Sequence, residues 1–153
     1  MNNHETFVCG NENITDLSSP LAALVSFYRG FNQRELERVR DNWLQSDEAS
    51  MANPLGGVKR GWKEIDAVYQ RIFHGPGRVY VEFYDYSLHQ WEDGFIVVGR
   101  ERGSLDIGTQ HIELAIRTSR IFTRHNNEWK QLHHHGSMDN PQLLHHYQST
   151  LLA

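Results

Sequence analysis

The chain has 153 residues, 39% of them hydrophobic and 22% charged, with a net charge of −4 at pH 7. That length supports one domain whose core needs no metal or disulfide, and the acidic balance excludes a general nucleic-acid binder, which would carry a basic excess. No apolar run approaches the ~20 residues that cross a bilayer, and the single cysteine, Cys9, excludes an internal disulfide.

Residues 1–15 are polar and Asn-rich with no hydrophobic period, so they are expected to form a flexible N-terminal segment ahead of a single domain over 16–153. Met1 to Phe7 shows neither a basic stretch nor an apolar one. With one unpaired cysteine, this predicts a cytoplasmic protein without a cleaved leader. Ser19-Pro20 reads as a helix start, Ser as N-cap and Pro at the first helical position. Leu21, Leu24, Val25, Tyr28 and Phe31 then recur at helical spacing, which predicts a helix over 20–31. A second helix is predicted over 34–44, with Leu36, Val39, Trp43 and Leu44 on its apolar face. Ser46 to Asn53 reads as a short extended stretch, and Pro54-Leu55-Gly56-Gly57 as a turn. Ile65, Val68, Tyr69, Ile72 and Phe73 predict a third helix over 62–73, stopped by His74-Gly75-Pro76-Gly77.

After residue 77 the pattern changes to long strands: 78–91, 95–102, 110–124 and 129–138. Asp93-Gly94 and Asn126-Asn127 supply turns between them, and 104–108 is expected as a loop. Pro141 to Ala153 carries Leu143, Leu144, Tyr147 and Leu151, a short helix or an arm. Helices followed by antiparallel hairpins make an α+β domain. A sheet of long twisted strands can curl around the helices and leave a cavity between them.

Strict alternation assigns faces along these strands. Ile96, Val98 and Arg100 share one face, and Ile112, Leu114, Ile116, Thr118, Arg120 and Phe122 share another; both sets are expected to face the helices. On the last strand Leu132, His134 and Gly136 form one set, and Trp129, Gln131, His133 and His135 the other. Guanidinium groups on apolar faces need partners. Two readings stand for Arg100 and Arg120: they hold a bound anion, or they are structural, as an ion pair with a carboxylate such as Glu64 or Asp47 or as an arginine at the rim. His134, if inward, is a candidate general acid or base, as is Asp47 after the second helix. His133 and His135 point the same way, but with no assured third ligand among neighbours such as His89 or His111 they make a poor zinc site, and no metal is expected. No cofactor is expected either: nucleotide-binding glycine loops, a nucleophile elbow and a CxxC pair are absent from the sequence.

The order of three helices and long hairpins resembles the NTF2-like superfamily, within it the SnoaL-like group and the association domain of calcium/calmodulin-dependent protein kinase II. The stretches that carry the likeness are Asn53-Pro54-Leu55-Gly56-Gly57, Gly61-Trp62, Thr118-Ser119-Arg120-Ile121-Phe122, and Glu128-Trp129 through His133-His134-His135-Gly136-Ser137. The resemblance implies a cone-shaped barrel, with three N-terminal helices packed in a strongly curved antiparallel sheet. It also implies cavity arginines at Arg100 and Arg120; the family's third arginine falls on Gly136, with His134 nearby. A homodimer through the outer sheet faces is implied as well, and the set Trp129, Gln131, His133 and His135 is expected at that interface.

The leading expectation is a small-molecule pocket protein, an isomerase, dehydratase or hydrolase-like enzyme if it has chemistry, with no nucleic-acid or membrane partner. Its ligand would be a small carboxylate or a polar-headed apolar compound. Arg100 and Arg120 would hold the anionic end, Tyr28, Trp43, Trp62 and Tyr69 would wall the apolar part, and His134 or Asp47 would carry a proton. The alternative is a non-catalytic association module whose function is its dimer surface. An inner arginine pair free of protein carboxylates favours the first; a carboxylate-capped arginine favours the second.

Overall fold

Ser19 opens the first helix as the sequence predicts. Its Oγ accepts a hydrogen bond from the Ala22 amide at 3.1 Å, and Pro20 takes the first helical position, where a missing N–H costs nothing. A computed structural model describes residues 6–151. Helix α1 spans Pro20–Asn32, α2 Leu36–Asn42, α3 Trp62–His74 and α4 Pro141–Leu151. The strands are β1 (Phe7–Val8), β2 (Ser50–Ala52), β3 (Lys59–Arg60), β4 (Arg78–Trp91), β5 (Gly94–Ile107), β6 (Gln110–His125) and β7 (Glu128–Met138). They form one curved, open sheet in the order β1-β4-β5-β6-β7-β2-β3. Neighbours are antiparallel except β2 and β7, which run parallel.

The long hairpins follow from their turns. Trp91 pairs with Gly94 across a two-residue turn, and Asn126 and Asn127 both take left-handed φ, 50° and 63°, as a type I′ turn requires. The expected loop at 104–108 is instead the end of β5: Ser104 and Leu105 stay paired with Glu113 and Ile112, and only Gly108-Thr109 turns. Curvature has local causes. The β4–β5 register shifts between Tyr84 and Ser87, where Asp85 has a left-handed φ of 48°. Opposite this region, a Cβ on Gly99 would sit 2.6 Å from the Tyr86 Cβ, and one on Gly103 would sit 1.8 Å from the Tyr80 carbonyl oxygen. Only glycine allows β4 to press so closely onto β5.

Part of the expected flexible segment is built into the sheet. Phe7–Val8 pairs with Tyr84 and Phe83 at the β4 edge, and Val8 and Cys9 are buried. Asn32 ties this strand down: its side-chain amide donates to the Cys9 and Val81 carbonyls and accepts from the Val81 amide. The signal is short because two residues cannot show a period. Residues 1–5 and 152–153 lie outside the described residues.

The core fills the space between the concave face and α1–α3. Phe27, Tyr28, Trp43, Phe83, Phe95 and Phe122 are essentially fully buried. Tyr28 stacks on Phe83 at 5.6 Å, and Phe95 on Phe122 at 4.6 Å. Each such ring contributes roughly 1.5–3 kcal/mol by leaving water. Arg34, with φ of 58°, links the helices: its guanidinium donates to the Phe73, Gly75 and Gly77 carbonyls at the end of α3. Helix α4 crosses back to the mouth of the cone, where only Tyr147 of its described residues is buried. Among the described residues no helix is long and apolar enough to cross a membrane.

Candidate functional site

Between α1, α3, α4 and the concave sheet lies a cavity of about 70 Å3. Most of its wall is apolar: Phe27, Phe31, Met51, Leu55, Val68, Ile72, Leu114 and Ile116 are typical. Glu101, Arg120, His134 and the phenols of Tyr69 and Tyr147 are its principal polar components. Strand β6 delivers Arg120 on the face predicted for it, alternating inward with Leu114, Ile116, Thr118 and Phe122.

Arg120 is 3% exposed and held by several partners. Its Nη2 donates to Glu101 Oε2 at 3.2 Å, its Nη1 to Gln131 Oε1 at 2.8 Å, and its Nε to the Tyr28 hydroxyl at 3.2 Å. The guanidinium also stacks 3.9 Å from the Phe27 ring centre. The Tyr28 hydroxyl in turn donates to Glu101 Oε2 at 2.5 Å. Gln131 Nε2 donates to Asn42 Oδ1 at 3.1 Å, and Asn42 Nδ2 to the Ala23 carbonyl at 2.8 Å, so the network runs from the cavity to the α1–α2 surface. Burial raises the Tyr28 phenol well above its ordinary range; the Arg120 charge opposes that and Glu101 adds to it. Burial likewise pushes Tyr69 up to about 12, and its hydroxyl accepts from Trp43 Nε1 at 3.2 Å.

Two groups in this wall keep unused hydrogen-bonding capacity. Among the described residues, the hydrogen bonds to the Glu101 carboxylate, from Tyr28 and Arg120, fall on Oε2 and none falls on Oε1. His134 is buried, and neither ring nitrogen has a partner among the described residues. Burial first, and the positive charge of Arg120 second, hold its imidazole well below its usual value, so it is neutral at pH 7. Its Nε2 lies 3.2 Å from where a Cβ on Gly136 would stand, so the glycine leaves the ring its space. Thr118 Oγ1, on the neighbouring strand, is also buried without a partner. Orphaned polar atoms are costly in a dry interior. A carboxylate oxygen can accept a proton, and a neutral imidazole can accept at one nitrogen and donate at the other.

The structure brings together Tyr69, Arg120 and His134 of the sequence-predicted pocket residues and places the others elsewhere. Arg100 is 52% exposed on the outer face, 3.1 Å from Asp85 and 3.6 Å from Asp139. The face of β5 is the reverse of the expected one: Phe95, Val97, Glu101 and Leu105 are the inward residues, and Ile96 and Val98 point out with Arg100. Both sets contain β-branched or aromatic residues, so apolarity could not choose between them. Tyr28 is core, one layer behind Arg120, and Trp43 and half-buried Trp62 pack on each other at 6.3 Å outside the cavity. Asp47 is exposed near Gly61 at the start of α3 and reaches no part of the cavity. Glu64 is turned to the Arg60 amide, so the partner of Arg120 is Glu101, which sequence reasoning missed. Its signal was a lone acid in an otherwise inward-compatible set, Phe95, Val97, Glu101 and Leu105.

The expected interface set divides in the same way. The β6–β7 register slips between Ile121 and Phe122: Ile121 pairs with His133 and Phe122 with Gln131, so Leu132 is an extra residue. That bulge turns Gln131 and His134, three apart, to the same inner side. Gln131 is wholly buried and cannot stand at an outer surface. Trp129, on the inner parity with it, packs edge-on against Phe95 at 5.1 Å and donates from Nε1 to the Ser18 carbonyl. His133 and His135 do point outward, and His133 Nδ1 is 2.7 Å from Ser50 Oγ. Among the described residues no group of three or more His, Cys, Asp or Glu could hold a metal ion. A wider surface groove of about 780 Å3 between α1, α2 and the β6–β7 turn is open, and its charges are largely paired among themselves, as Arg38 with Glu35 and Lys130 with Glu128.

A sequence model of the SnoaL-like domain matches residues 21–141. No curated protein matches the chain. Among solved structures, a candidate dehydratase of the NTF2-like family from Streptomyces avermitilis superposes with a TM-score of 0.73 at 20% identity, covering 82% of this chain and 97% of that one. A candidate calcium/calmodulin-dependent protein kinase type II association domain from Thiobacillus denitrificans gives 0.67 at 23% identity, covering 80% and 96%. An NTF2-like protein of unknown function in nutrient uptake from Rhodospirillum rubrum gives 0.66 at 18% identity, covering 82% and 99%. These likenesses show an NTF2-like α+β fold, here with its sheet left open.

Proposed function

The chain belongs to the SnoaL-like domain family, and from that premise we propose that it is a small-molecule pocket protein whose cavity supports proton transfer on a polar-headed apolar ligand. One observation carries the reading: among the described residues, Glu101 Oε1 and both ring nitrogens of His134 have no hydrogen-bond partner in the wall of a largely apolar cavity. A carboxylate and a neutral imidazole in the wall of one cavity are suited to taking a proton from one ligand atom and returning it to another. Isomerisation and dehydration are the reactions that need no more than this. A carboxylate ligand is not supported: Arg100 is outside, and Arg120 already has Glu101, Gln131 and Tyr28 as partners.

The test is a titration of protein carrying 15N-labelled histidine with small neutral alcohols, ketones and phenols. At least one class is expected to shift the His134 ring resonances. Fragments that perturb only His133 or His135, on the outer face, would overturn the reading.

The association-module reading is supported by a separate surface. Val98 is 44% exposed on the outer face of the sheet, beside half-buried Ile96 and Ile121, and next to a shallow groove lined by Arg100, Arg117 and His135. A homodimer through this face, with His133 and His135 at or near the contact, would cover that patch.

A further inference from the structure

Among the described residues, the buried side-chain atoms without a hydrogen-bond partner are Thr118 Oγ1 and the two ring nitrogens of His134. They are neighbours in the sheet. Thr118 pairs with Gly136, and Arg120 with His134. Thr118 and Arg120 are inward residues of β6, as His134 and Gly136 are of β7. Directly opposed residues on one face normally hold their Cβ atoms about 4.5–5.5 Å apart. Gly136 has no Cβ, so Thr118 faces backbone where its neighbours face a side chain. The imidazole leans into that place: Nε2 lies 3.2 Å from the point where a Cβ on Gly136 would stand, and Pro54 Cγ and Cδ lie 3.3 Å from the same point.

A buried hydroxyl and a buried imidazole left unpaired are costly, and proteins answer such groups with a protein partner or an ordered water. The cavity that His134 lines encloses about 70 Å3. One water takes roughly 30 Å3 in the liquid and needs two to four polar partners. Thr118 Oγ1 and His134 Nε2 supply two. A hydroxyl both donates and accepts, and so does water, so the pair can satisfy Nε2 in either tautomer of the neutral ring.

We propose that Thr118 Oγ1 and His134 Nε2 together bind one ordered water beside Gly136. The water holds the imidazole from its Nε2 side and makes Thr118 a positioning residue for His134. Nδ1 is then the ring atom left for the ligand of the pocket reading above, although the water site itself does not rest on that reading.

The experiment combines a high-resolution crystal structure of the full chain with thermal melting of Gly136→Ala, Gly136→Ser and Thr118→Val. The crystal structure is expected to show a water within about 3.2 Å of both Oγ1 and Nε2. G136A and G136S add the same Cβ, but only the serine brings a hydroxyl to the water's partners. G136A is therefore expected to melt roughly 3 °C or more below G136S, the shift that one unpaired buried polar group gives in a chain of this length. Thr118 and His134 without a shared water, or G136S melting at or below G136A, overturns the site. If the Gly136 variants do not fold, T118V decides. It keeps the shape of the side chain and removes one partner of the water, so it is expected to melt below the wild type; were the hydroxyl merely orphaned, its removal would raise the melting temperature, and that result overturns the site. None of these measurements involves a ligand, so the pocket reading stands or falls separately, by the fragment titration.

Discussion

Arg120 and Arg100 stand on adjacent strands of one sheet, and their surroundings could hardly differ more. Arg120 on the concave face is held by a carboxylate, an amide, a phenol and an aromatic ring, all in the core. Arg100 on the outer face shares Asp85 and Asp139 with water and with Arg117. Identical side chains thus serve as an internal fastener in one place and as surface charge in the other, and the face of the strand alone decides which. The contrast also separates two roles within the cavity. Arg120 fixes Glu101 from one side through Oε2, and in the proposed reading the other carboxylate oxygen is what remains for a ligand.

The comparison is broken most directly by removing each arginine. Arg120→Met is expected to destabilise the fold by about 3–5 kcal/mol, because it leaves Glu101 as an uncompensated buried charge. The double substitution E101M/R120M should recover most of that loss, since both charges go together. Arg100→Met should cost at most about 1 kcal/mol, as exposed ion pairs do. Chemical denaturation of the four proteins measures this, and an R120M variant as stable as R100M would show that the buried pair is not structural.

His134 sharpens the same contrast through pH. The folded state holds His134 neutral and well below its ordinary value, whereas the unfolded chain protonates it near 6.5. Below pH 6.5 the unfolded state therefore binds more protons, and stability falls as pH drops, by up to about 1.4 kcal/mol per pH unit for this group. His133 shifts in the same direction from partial burial, and His111, whose value Asp106 raises, acts in the opposite sense from a fully exposed position. His134→Leu should flatten most of the acid-side slope between pH 6.5 and 5. Equal slopes in wild type and H134L would remove the buried neutral imidazole from the account.

The smallest expected effect lies on the outer face. Val98→Asp should change folding stability by no more than about 0.5 kcal/mol, as exposed substitutions usually do. In sedimentation at micromolar concentration the wild type is expected as a dimer and V98D as a monomer. A monomeric wild type would leave the outer face without the proposed partner and the association reading without its support.

The sequence carried the architecture further than the site. Helix starts and stops at Ser19-Pro20 and Gly75, and the turns beside Asp93 and at Asn126-Asn127, are local chemistry, readable without tertiary knowledge. So was the inner face of β6, where polar residues alternate cleanly with Ile112, Leu114 and Ile116. Faces became illegible where both sides of a strand are apolar, as with Phe95 and Val97 against Ile96 and Val98 in β5. They became illegible again where one extra residue broke the period, at Leu132. Both failures moved charged or amide groups across the sheet: Glu101 entered the site, Arg100 left it, and Gln131 moved from an interface to the core. Tyr147 lay in a segment whose period identified a possible helix but could not say against what it would pack.

Leu132 has a use that reaches past the description of one strand. Without it, Gln131, His133, His134 and His135 would alternate in, out, in, out, which are the faces they occupy now. The extra residue therefore leaves the chemistry of the strand unchanged and adds only a bend beside the Arg120 contact. In evolutionary terms, shape and reactivity are written in separate places here: gaining or losing one residue alters the curvature of the cone, and replacing residues at fixed positions alters what lines it.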